Sequence, residues 1–393
     1  MNSHAPPPDW SRHRDVPLLH TLATAVLALA ETTNLDRFRL PYHPEAQRAL
    51  DGTALSCLRR GAEPPASVPQ LMYWCRTRPI ARWGLDLPRD AFGPGDLLVD
   101  RDSAEPTELC HEWAMDTRDS AGLQRDREVI GWVMRVCQDI GAPESYTAFR
   151  RLLVQRPVLT TADSFEIGVD TYLEPVRAVI DDIYQEVPAS YRRNGAYLTC
   201  GRCQTLLVPL SDGGWWCERD QCRRQGPPPP GRELPADEVG VLRQLERPLR
   251  QFVTGPGRAE ASLEGLLTGL GLPVEMWPGF DAYDLRVTFP DGLVWAVDVK
   301  DWAHPGLLGR HARPVRRTPP YDEAFWVVPH HRIEARPDYL AVYERHRPPE
   351  ADGLRLLTDR QLTAAAAERL AAPAHPTASP TAEASAANGD QDA

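Results

Sequence analysis

The sequence predicts a multidomain chain with a mainly α-helical N-terminal region, a small central β-hairpin that carries four cysteines, and a C-terminal α/β domain. Apolar residues recur at helical spacing in the first half of the chain. Paired cysteines flank a predicted hairpin between Cys200 and Cys222. Over residues 284–300, two alternating arms rich in β-branched residues flank a Gly-containing turn, which is typical of a second hairpin. The 393 residues indicate two or three domains.

The composition argues against two classes of protein. An apolar content of 42% is too high for a chain that is disordered as a whole, and a formal net charge of −11 argues against a broadly basic coat on nucleic acid. The apolar run over residues 18–30 is too short and too interrupted to span a bilayer, and no secretory signal is present, so we expect a cytoplasmic protein without membrane contact. In that compartment the eight cysteines indicate metal ligands or free thiols rather than disulfides.

The N-terminal region predicts ordered structure only from residue 17 onward. Residues 1–16 are rich in proline and polar side chains, and we expect them to be disordered. Residues 17–192 are expected to be largely helical, with helices over residues 17–30, from residue 127 towards Gly141, and over residues 145–153 and 171–187. This region contains no catalytic constellation, which leaves dimerisation, partner docking and nucleic-acid contact as open alternatives.

Residues 195–225 carry the cysteine motif. Cys200 and Cys203 form a C-x2-C knuckle, and thirteen residues later Cys217 and Cys222 form a C-x4-C knuckle. Two short strands joined by a Gly-rich turn between the knuckles would bring four thiolates around one ion, as tetrahedral Zn²⁺ requires. The motif resembles a zinc ribbon, and its role is expected to be structural because four cysteine ligands leave no position for water. Two disulfides or four unligated cysteines are the alternatives.

Residues 226–237 are expected to form an extended proline-rich linker, and residues 238–371 the C-terminal domain. A helix over residues 238–253, ended by a Gly-Pro-Gly break, and a second helix over residues 259–270 are predicted to precede a short strand at 274–277. The hairpin, a strand at 324–328, a helix at 339–345 and a strand at 354–357 are predicted to follow. Residues 372–393 form an Ala-, Ser-, Thr- and Pro-rich tail that we expect to be disordered.

The hairpin at 284–300, which we call the acidic hairpin, has a register that its apolar residues select. With a three-residue loop, Leu285 faces Val297 and the next inward residues pair likewise, so that one face is wholly apolar. Asp284 then lies opposite Asp298 on the other face. Lys300 joins that face because strand side chains alternate.

This polar face combines two carboxylates with one ammonium. Directly opposed Cβ atoms lie about 4.5–5.5 Å apart, so Asp284 and Asp298 repel each other unless a cation lies between them. Mg²⁺ suits such an oxygen site, and it would activate a water molecule and polarise a phosphoryl oxygen. Lys300, the only lysine in the chain, is expected to orient or deprotonate that water or to stabilise developing negative charge. A solvated polar face with a surface salt bridge is the alternative.

The acidic hairpin resembles the PD-(D/E)xK motif of restriction-endonuclease-like nucleases, with Asp284 and then Asp298-Val299-Lys300 as the matching residues. The resemblance implies an αβββαβ core, which agrees with the predicted order of elements. It also implies a metal-binding glutamate on the first helix of the core. We assign that role to Glu264, with Glu260 as the competing candidate.

A basic run follows the acidic hairpin and consists of Arg310, Arg313, Arg316 and Arg317. In an acidic protein, such a run is a candidate phosphate-contacting loop. A solvated run of charges is the alternative. Asp281, upstream of the hairpin, competes with Asp284 for the first carboxylate position but lies outside the paired arm.

The combination of a helical N-terminal part, a ribbon opened by Leu-Thr-Cys-Gly-Arg-Cys and a C-terminal PD-(D/E)xK domain resembles the restriction-endonuclease component found beside prokaryotic PIWI-RE proteins. The resemblance covers about residues 195–371. It implies partnership with a PIWI-RE protein and a helicase in defence against invading DNA or RNA–DNA hybrids.

The primary functional prediction is therefore a Mg²⁺-dependent deoxyribonuclease in which Asp284 and Asp298 hold the metal and Lys300 assists the attacking water. The zinc ribbon would brace the fold or dock nucleic acid. One alternative is a catalytically inactive adaptor that binds nucleic acid through a nuclease fold. Another is a zinc-ribbon accessory protein of transcription or repair.

Overall fold

The structure, a computed structural model, describes residues 7–30, 40–102, 104–116 and 125–371. The predicted disordered tail at 372–393 lies outside the described residues. The described part of the N-terminal region is helical, as predicted. Its helices are α1 (Val16–Ala30), α2 (Pro44–Arg59), α3 (Val68–Thr77), α4 (Glu108–Met115), α5 (Arg125–Asp139), α6 (Pro143–Gln155), α7 (Thr161–Val169) and α8 (Arg177–Ile183).

The remaining elements belong to the ribbon and to the C-terminal part. The strands are β1 (Val158–Leu159), β2 (Tyr184–Glu186), β3 (Ala196–Cys200), β4 (Val208–Pro209), β5 (Trp215–Trp216), β6 (Pro230–Pro235), β7 (Arg243–Leu245), β8 (Val274–Met276), β9 (Leu285–Thr288), β10 (Val294–Val299), β11 (Glu323–Val328) and β12 (Arg355–Thr358). The helices are α9 (Asp220–Arg224), α10 (Arg247–Leu249), α11 (Gly255–Gly269), α12 (Pro278–Asp281), α13 (Pro305–Arg310), α14 (His330–Ala335), α15 (Tyr339–His346) and α16 (Asp359–Ala371).

Local sequence signals explain where several of these helices begin. The side chain of Thr107 accepts a hydrogen bond from the Cys110 amide at the start of α4. Thr160 and Asp163 form a reciprocal capping box at the start of α7. Each cap satisfies backbone N–H groups that have no partner within the helix, which is why Thr and Asp are favoured at these positions.

Helices α1 to α4 surround a separate apolar core that reaches back to residue 10 and also includes Leu307 of α13. Trp10 is only 2% exposed, and its ring stacks on that of Trp113 with centroids 5.2 Å apart. Asp9 caps a 3-10 turn over Trp10–Arg12. The predicted disorder of residues 1–16 is therefore wrong for residues 7–16, because burial of a single indole anchors this short polar segment.

Helices α5 and α6 belong to a different core, which they share with the C-terminal sheet. Val133 of α5 and Phe149 of α6 lie in one buried cluster with Leu285, Val297 and Phe325 of that sheet. The region predicted as one unit over residues 17–192 thus packs as two parts. Sequence periodicity identifies the helices but does not specify what covers each apolar face.

Tertiary pairing overrides three of the sequence-based assignments. The predicted helix over 171–187 is α-helical only in α8 and continues into β2, and the predicted helix over 238–253 contains β7. Strands β1, β7 and β2 form a small antiparallel sheet. The predicted linker at 226–237 contains β6, which pairs with β3. Pro230 and Pro235 stand at the two ends of β6, which is an edge strand, where missing N–H groups are tolerated.

The C-terminal part is built on a mixed five-stranded sheet of order β12-β11-β10-β9-β8. Strands β8, β9 and β10 run antiparallel, whereas β10, β11 and β12 run parallel. Helix α11 precedes these strands and α13 connects β10 to β11. The predicted succession of one helix, three strands, a crossover and a further strand is therefore present. Helix α11 follows directly on a π-helical turn over Arg250–Thr254, so the chain stays helical through the predicted Gly-Pro-Gly break, with Pro256 in the first turn of α11.

Candidate active site and metal centre

The acidic hairpin has the register that its apolar residues select. Leu285 pairs with Val297, and Val287 pairs with Trp295. The three-residue loop closes with a hydrogen bond of 2.8 Å from the Phe289 amide to the Leu293 carbonyl. The ladder ends at Leu285 and Val297, one residue short of the two acids. The predicted register is confirmed, and it brings both carboxylates to the same end of the strand pair.

Beyond the ladder, each acid of the hairpin contacts a different group. The Val299 amide donates to Asp284 Oδ2 at 2.6 Å, and Asp284 is 9% exposed. Lys300 Nζ lies 3.4 Å from Asp298 Oδ2 and 5.3 Å from the centroid of the Trp326 ring. The structure thus brings the three predicted residues to one edge of the sheet. Asp298 and Lys300 form an ion pair, and Asp284 lies in the interior beside them.

Burial and neighbouring charge determine the pKa values at this edge. Burial raises the pKa of Asp284 well above its usual range, and the nearby Glu260 carboxylate raises it further. Burial alone would lower the pKa of Lys300, but the carboxylates of Asp298 and Asp284 outweigh it and raise that pKa. Lys300 is therefore an ammonium at neutral pH. Around Asp284, burial and the neighbouring carboxylates outweigh the positive charge of Lys300.

The helix that precedes the sheet contributes Glu260, not Glu264. Glu260 is 3% exposed, lines the same cavity as Asp284 and Lys300, and accepts a 2.6 Å hydrogen bond from Trp277 Nε1. Glu264 forms an ion pair with Arg151 at 2.6 Å and does not line that cavity. Glu260, the competing candidate, thus lies in the cavity and Glu264 does not, because one turn of α11 separates the buried position from the partly exposed one.

A strained loop between β8 and β9, which contains the short left-handed turn labelled α12, supplies a further carboxylate. Trp277, Phe280 and Asp281 all have positive φ, at 51°, 57° and 66°. Bulky residues rarely adopt this conformation, and such strain concentrates at functional sites. The loop directs Asp281 towards α6, where the hydroxyl of Tyr146 donates to its Oδ2 at 2.9 Å. Asp281 is therefore part of the site, next to Asp284 rather than in its place.

The cavity between these elements has a volume of about 290 Å³. Glu260, Asp284 and Lys300 line it from the C-terminal part, and Arg150 and Glu112 line it from α6 and α4. Arg150 donates to Asp281 Oδ2 at 3.0 Å and to Glu260 Oε2 at 3.5 Å. The N-terminal helices therefore cover the candidate active site and place a guanidinium in it.

The four cysteines of the ribbon form the second centre. All four are buried and free of disulfide bonds, and one ligand atom from each lies within 4.8 Å of the others. Cys203 Sγ and Cys217 Sγ are 3.4 Å apart, close to the edge of about 3.8 Å that Zn–S bonds of about 2.3 Å give in a tetrahedron. Among the described residues, no other group of three or more His, Cys, Asp or Glu side chains converges this closely. The number and the spacing of the four thiolates are therefore suited to a Zn²⁺ ion.

Two features explain the local shape of the ribbon. The longer C-x4-C interval is accommodated by α9, which carries Cys222. Gly201 permits a close approach, because a Cβ there would lie only 3.2 Å from the carbonyl oxygens of Pro229 and Pro230. The β6 segment thus packs directly on the first knuckle, which explains why the predicted linker is part of the ribbon.

The basic run after the acidic hairpin lies away from the cavity. Arg310 pairs with Asp116 at 3.6 Å, and its guanidinium lies 4.3 Å from the centroid of the Trp10 ring. Arg317 lies over Tyr321, and Arg313 and Arg316 are exposed. None of the four arginines lines the cavity that holds Lys300. The predicted phosphate contact is therefore not adjacent to the candidate active site.

Two family models match the chain. Residues 18–160 match the pPIWI_RE three-gene island domain Y, and residues 257–374 match the REase associating with pPIWI_RE. Together the two matches support a REase component of pPIWI_RE systems. No curated protein and no solved structure matches it. None of the helices that the structure describes has both the length and the apolar character needed to cross a membrane.

The two matches divide the candidate active site between them. The REase match contains Glu260, Asp284 and Lys300, whereas the domain Y match contains Tyr146 and Arg150. Reasoning from the sequence did not identify the last two, because an arginine and a tyrosine on an amphipathic helix carry no motif. The only available signal is their i, i+4 spacing, which places both side chains on one face of α6.

Proposed function

We propose that the chain is a Mg²⁺-dependent endonuclease that hydrolyses DNA phosphodiester bonds in company with a PIWI-RE protein. The observation that carries the proposal is the buried Asp284 beside the Asp298–Lys300 ion pair, at the end of a hairpin within the segment that matches the REase model. A helicase partner and a role in defence rest on the family resemblance alone.

The donor set suits a hard divalent cation. Asp284, Asp298 and Glu260 offer carboxylate oxygens, which Mg²⁺ prefers. The raised pKa of the buried Asp284 indicates that its negative charge needs a compensating cation. When bound, Mg²⁺ would supply an activated water molecule and polarise a phosphoryl oxygen.

Lys300 would contribute a fixed positive charge. Its pKa is raised by Asp298 and Asp284, which favours the charged ammonium form. An ammonium beside the carboxylates can donate hydrogen bonds to a phosphate oxygen and stabilise the charge that develops there. Of the roles first considered for Lys300, the geometry supports orientation and charge stabilisation.

A catalytically inactive adaptor is the second candidate, and one observation favours it. The carboxylates of the site already accept bonds from protein donors, namely Val299 N, Lys300 and Trp277 Nε1. The cavity of about 290 Å³ is also covered by N-terminal helices. An adaptor of this kind would bind nucleic acid with no metal at Asp284 and Asp298.

A cleavage assay with matched variants separates the two candidates. The purified chain, alone and with its PIWI-RE protein, would be incubated with plasmid and linear DNA in Mg²⁺ or EDTA. We expect Mg²⁺-dependent cleavage that falls by about 10²-fold or more in Asp284→Asn, Asp298→Asn and Lys300→Met. Asp291→Asn, an exposed carboxylate in the loop of the same hairpin, is the control and should cleave like the wild type. DNA binding without cleavage under every condition would support the adaptor instead.

A further inference from the structure

Arg150 lies among the acids of the candidate active site although it belongs to the N-terminal helices. It is 7% exposed, and its Nη1 and Nη2 atoms contact Asp281 and Glu260 at 3.0 and 3.5 Å. Its guanidinium also lies 5.1 Å from the centroid of the Trp277 ring. Its Nε has no hydrogen-bond partner among the residues that the structure describes. A buried guanidinium with an unsatisfied N–H group in this cavity is a feature that packing alone does not require.

The two carboxylates that Arg150 contacts are held from their other sides as well. Trp277 Nε1 donates to Glu260 at 2.6 Å, and the hydroxyl of Tyr146 donates to Asp281 at 2.9 Å. Arginine remains charged and its planar fork can bridge two carboxylates. The guanidinium therefore fixes the position of both acids, and its removal would leave two poorly compensated carboxylates in the interior.

Two protein cations contact different acids of the site. Arg150 contacts Glu260 and Asp281, whereas Lys300 contacts Asp298. Arg150 therefore takes the place of a cation beside Glu260 and Asp281, and without it a second cation would be favoured there.

We propose that Arg150 is a positioning residue that occupies a second cation position, so that the site binds a single divalent ion between Asp284 and Asp298. This inference rests on the proposed metal-dependent nuclease function. The guanidinium holds Glu260 and Asp281 in place beside the acids that would bind the metal. The N-terminal helices thereby become part of the active site, because α6 supplies a fixed positive charge to it.

Manganese stoichiometry tests the proposal without relying on cleavage. The zinc-loaded, full-length chain would be titrated with Mn²⁺ by calorimetry and by electron paramagnetic resonance. We expect one equivalent bound by the wild type, none by Asp284→Asn, and a second equivalent in Arg150→Gln. Arg150→Lys keeps the charge and should bind one equivalent. Arg150→Gln combined with Glu260→Gln should lose the additional equivalent.

Each outcome has a distinct meaning. Two equivalents in the wild type, or one equivalent at unchanged affinity in Arg150→Gln, would overturn the role of Arg150. If Arg150→Gln bound one equivalent at unchanged affinity and Asp284→Asn bound none, the nuclease proposal would stand, but without a role for Arg150. Absence of Mn²⁺ binding in every protein would overturn both proposals. Circular dichroism would verify that each variant folds. If Arg150→Gln failed to fold, the number of Mn²⁺ ions bound by the wild type and by Arg150→Lys would still test the proposal of a single ion.

Discussion

The two candidate metal centres of this chain differ in how they are assembled. The cysteine centre takes all its ligands from one ribbon, and the ligand atoms already lie within 4.8 Å of one another. The acidic centre combines α11, the acidic hairpin, the strained loop and α6, and its carboxylates contact protein cations and N–H groups. A site whose ligands all come from one short segment can form within that segment, whereas a site assembled from distant segments depends on how the whole molecule packs.

A buried ion network joins the two centres. Arg219, between the last two cysteines of the ribbon, lies 3.4 Å from Asp301, the residue that follows Lys300. Arg332 of α14 pairs with the same Asp301 at 2.7 Å and with Glu108 of α4 at 2.9 Å. The network therefore links the ribbon, the end of the acidic hairpin and the N-terminal helices. Substitutions in the ribbon and in this network can test whether the two centres depend differently on the packing of the whole molecule.

The largest expected effect is the loss of folded structure in the ribbon when a cysteine ligand is removed. Cys217→Ser should abolish zinc binding and unfold residues 195–235, because structural zinc in small domains contributes about 10–16 kcal/mol of binding free energy that is also folding free energy. Zinc content by mass spectrometry and limited proteolysis of the ribbon would measure both effects. Cys137→Ser, a buried cysteine in the shared core, is the matched control and should retain its zinc. A folded, zinc-bound Cys217→Ser protein would contradict the prediction that zinc binding requires all four cysteines.

The second effect concerns the network that joins the centres. Arg332→Ala should lower the free energy of unfolding by about 3–5 kcal/mol at pH 7, because it leaves Asp301 buried with a weaker partner. Chemical denaturation would measure the change. Arg345→Ala removes a half-exposed partner of Asp90 and should cost no more than about 1 kcal/mol. Equal losses in the two variants would mean that the network does not couple the centres.

The same network predicts a pH dependence. Burial alone would raise the pKa of Asp301, but Arg332, His331 and Arg219 outweigh it and lower that pKa below its usual value. A depressed carboxyl pKa stabilises the fold fully above the unfolded value of about 3.9 and loses that contribution as the pH falls below it. The stability difference between wild type and Arg332→Ala should therefore narrow on acidification. A difference that stayed constant down to pH 2 would contradict this explanation.

The sequence predicts those features that depend on short-range patterns. The hairpin register follows from alternating apolar residues such as Val287 and Trp295, and the cysteine cluster follows from spacing. Strand β6 and residue Arg150 could not be predicted in this way. The first forms only because β3 lies beside it, and the second reaches the acids only because α6 packs on the C-terminal sheet.

The choice between two glutamates on α11 gives the smallest effect and the finest test of the acidic centre. Glu260→Gln should reduce Mg²⁺-dependent cleavage by about 10²-fold, equivalent to about 2.7 kcal/mol of transition-state stabilisation, because it removes a charge that Arg150 and Trp277 hold in the cavity. Glu264→Gln, one turn away and paired with Arg151, should change the rate less than about twofold. Steady-state cleavage rates at saturating Mg²⁺ would compare them. Equal losses would mean that α11 acts through its overall charge, whereas a larger loss in Glu264→Gln would return the assignment to the residue that the sequence first indicated.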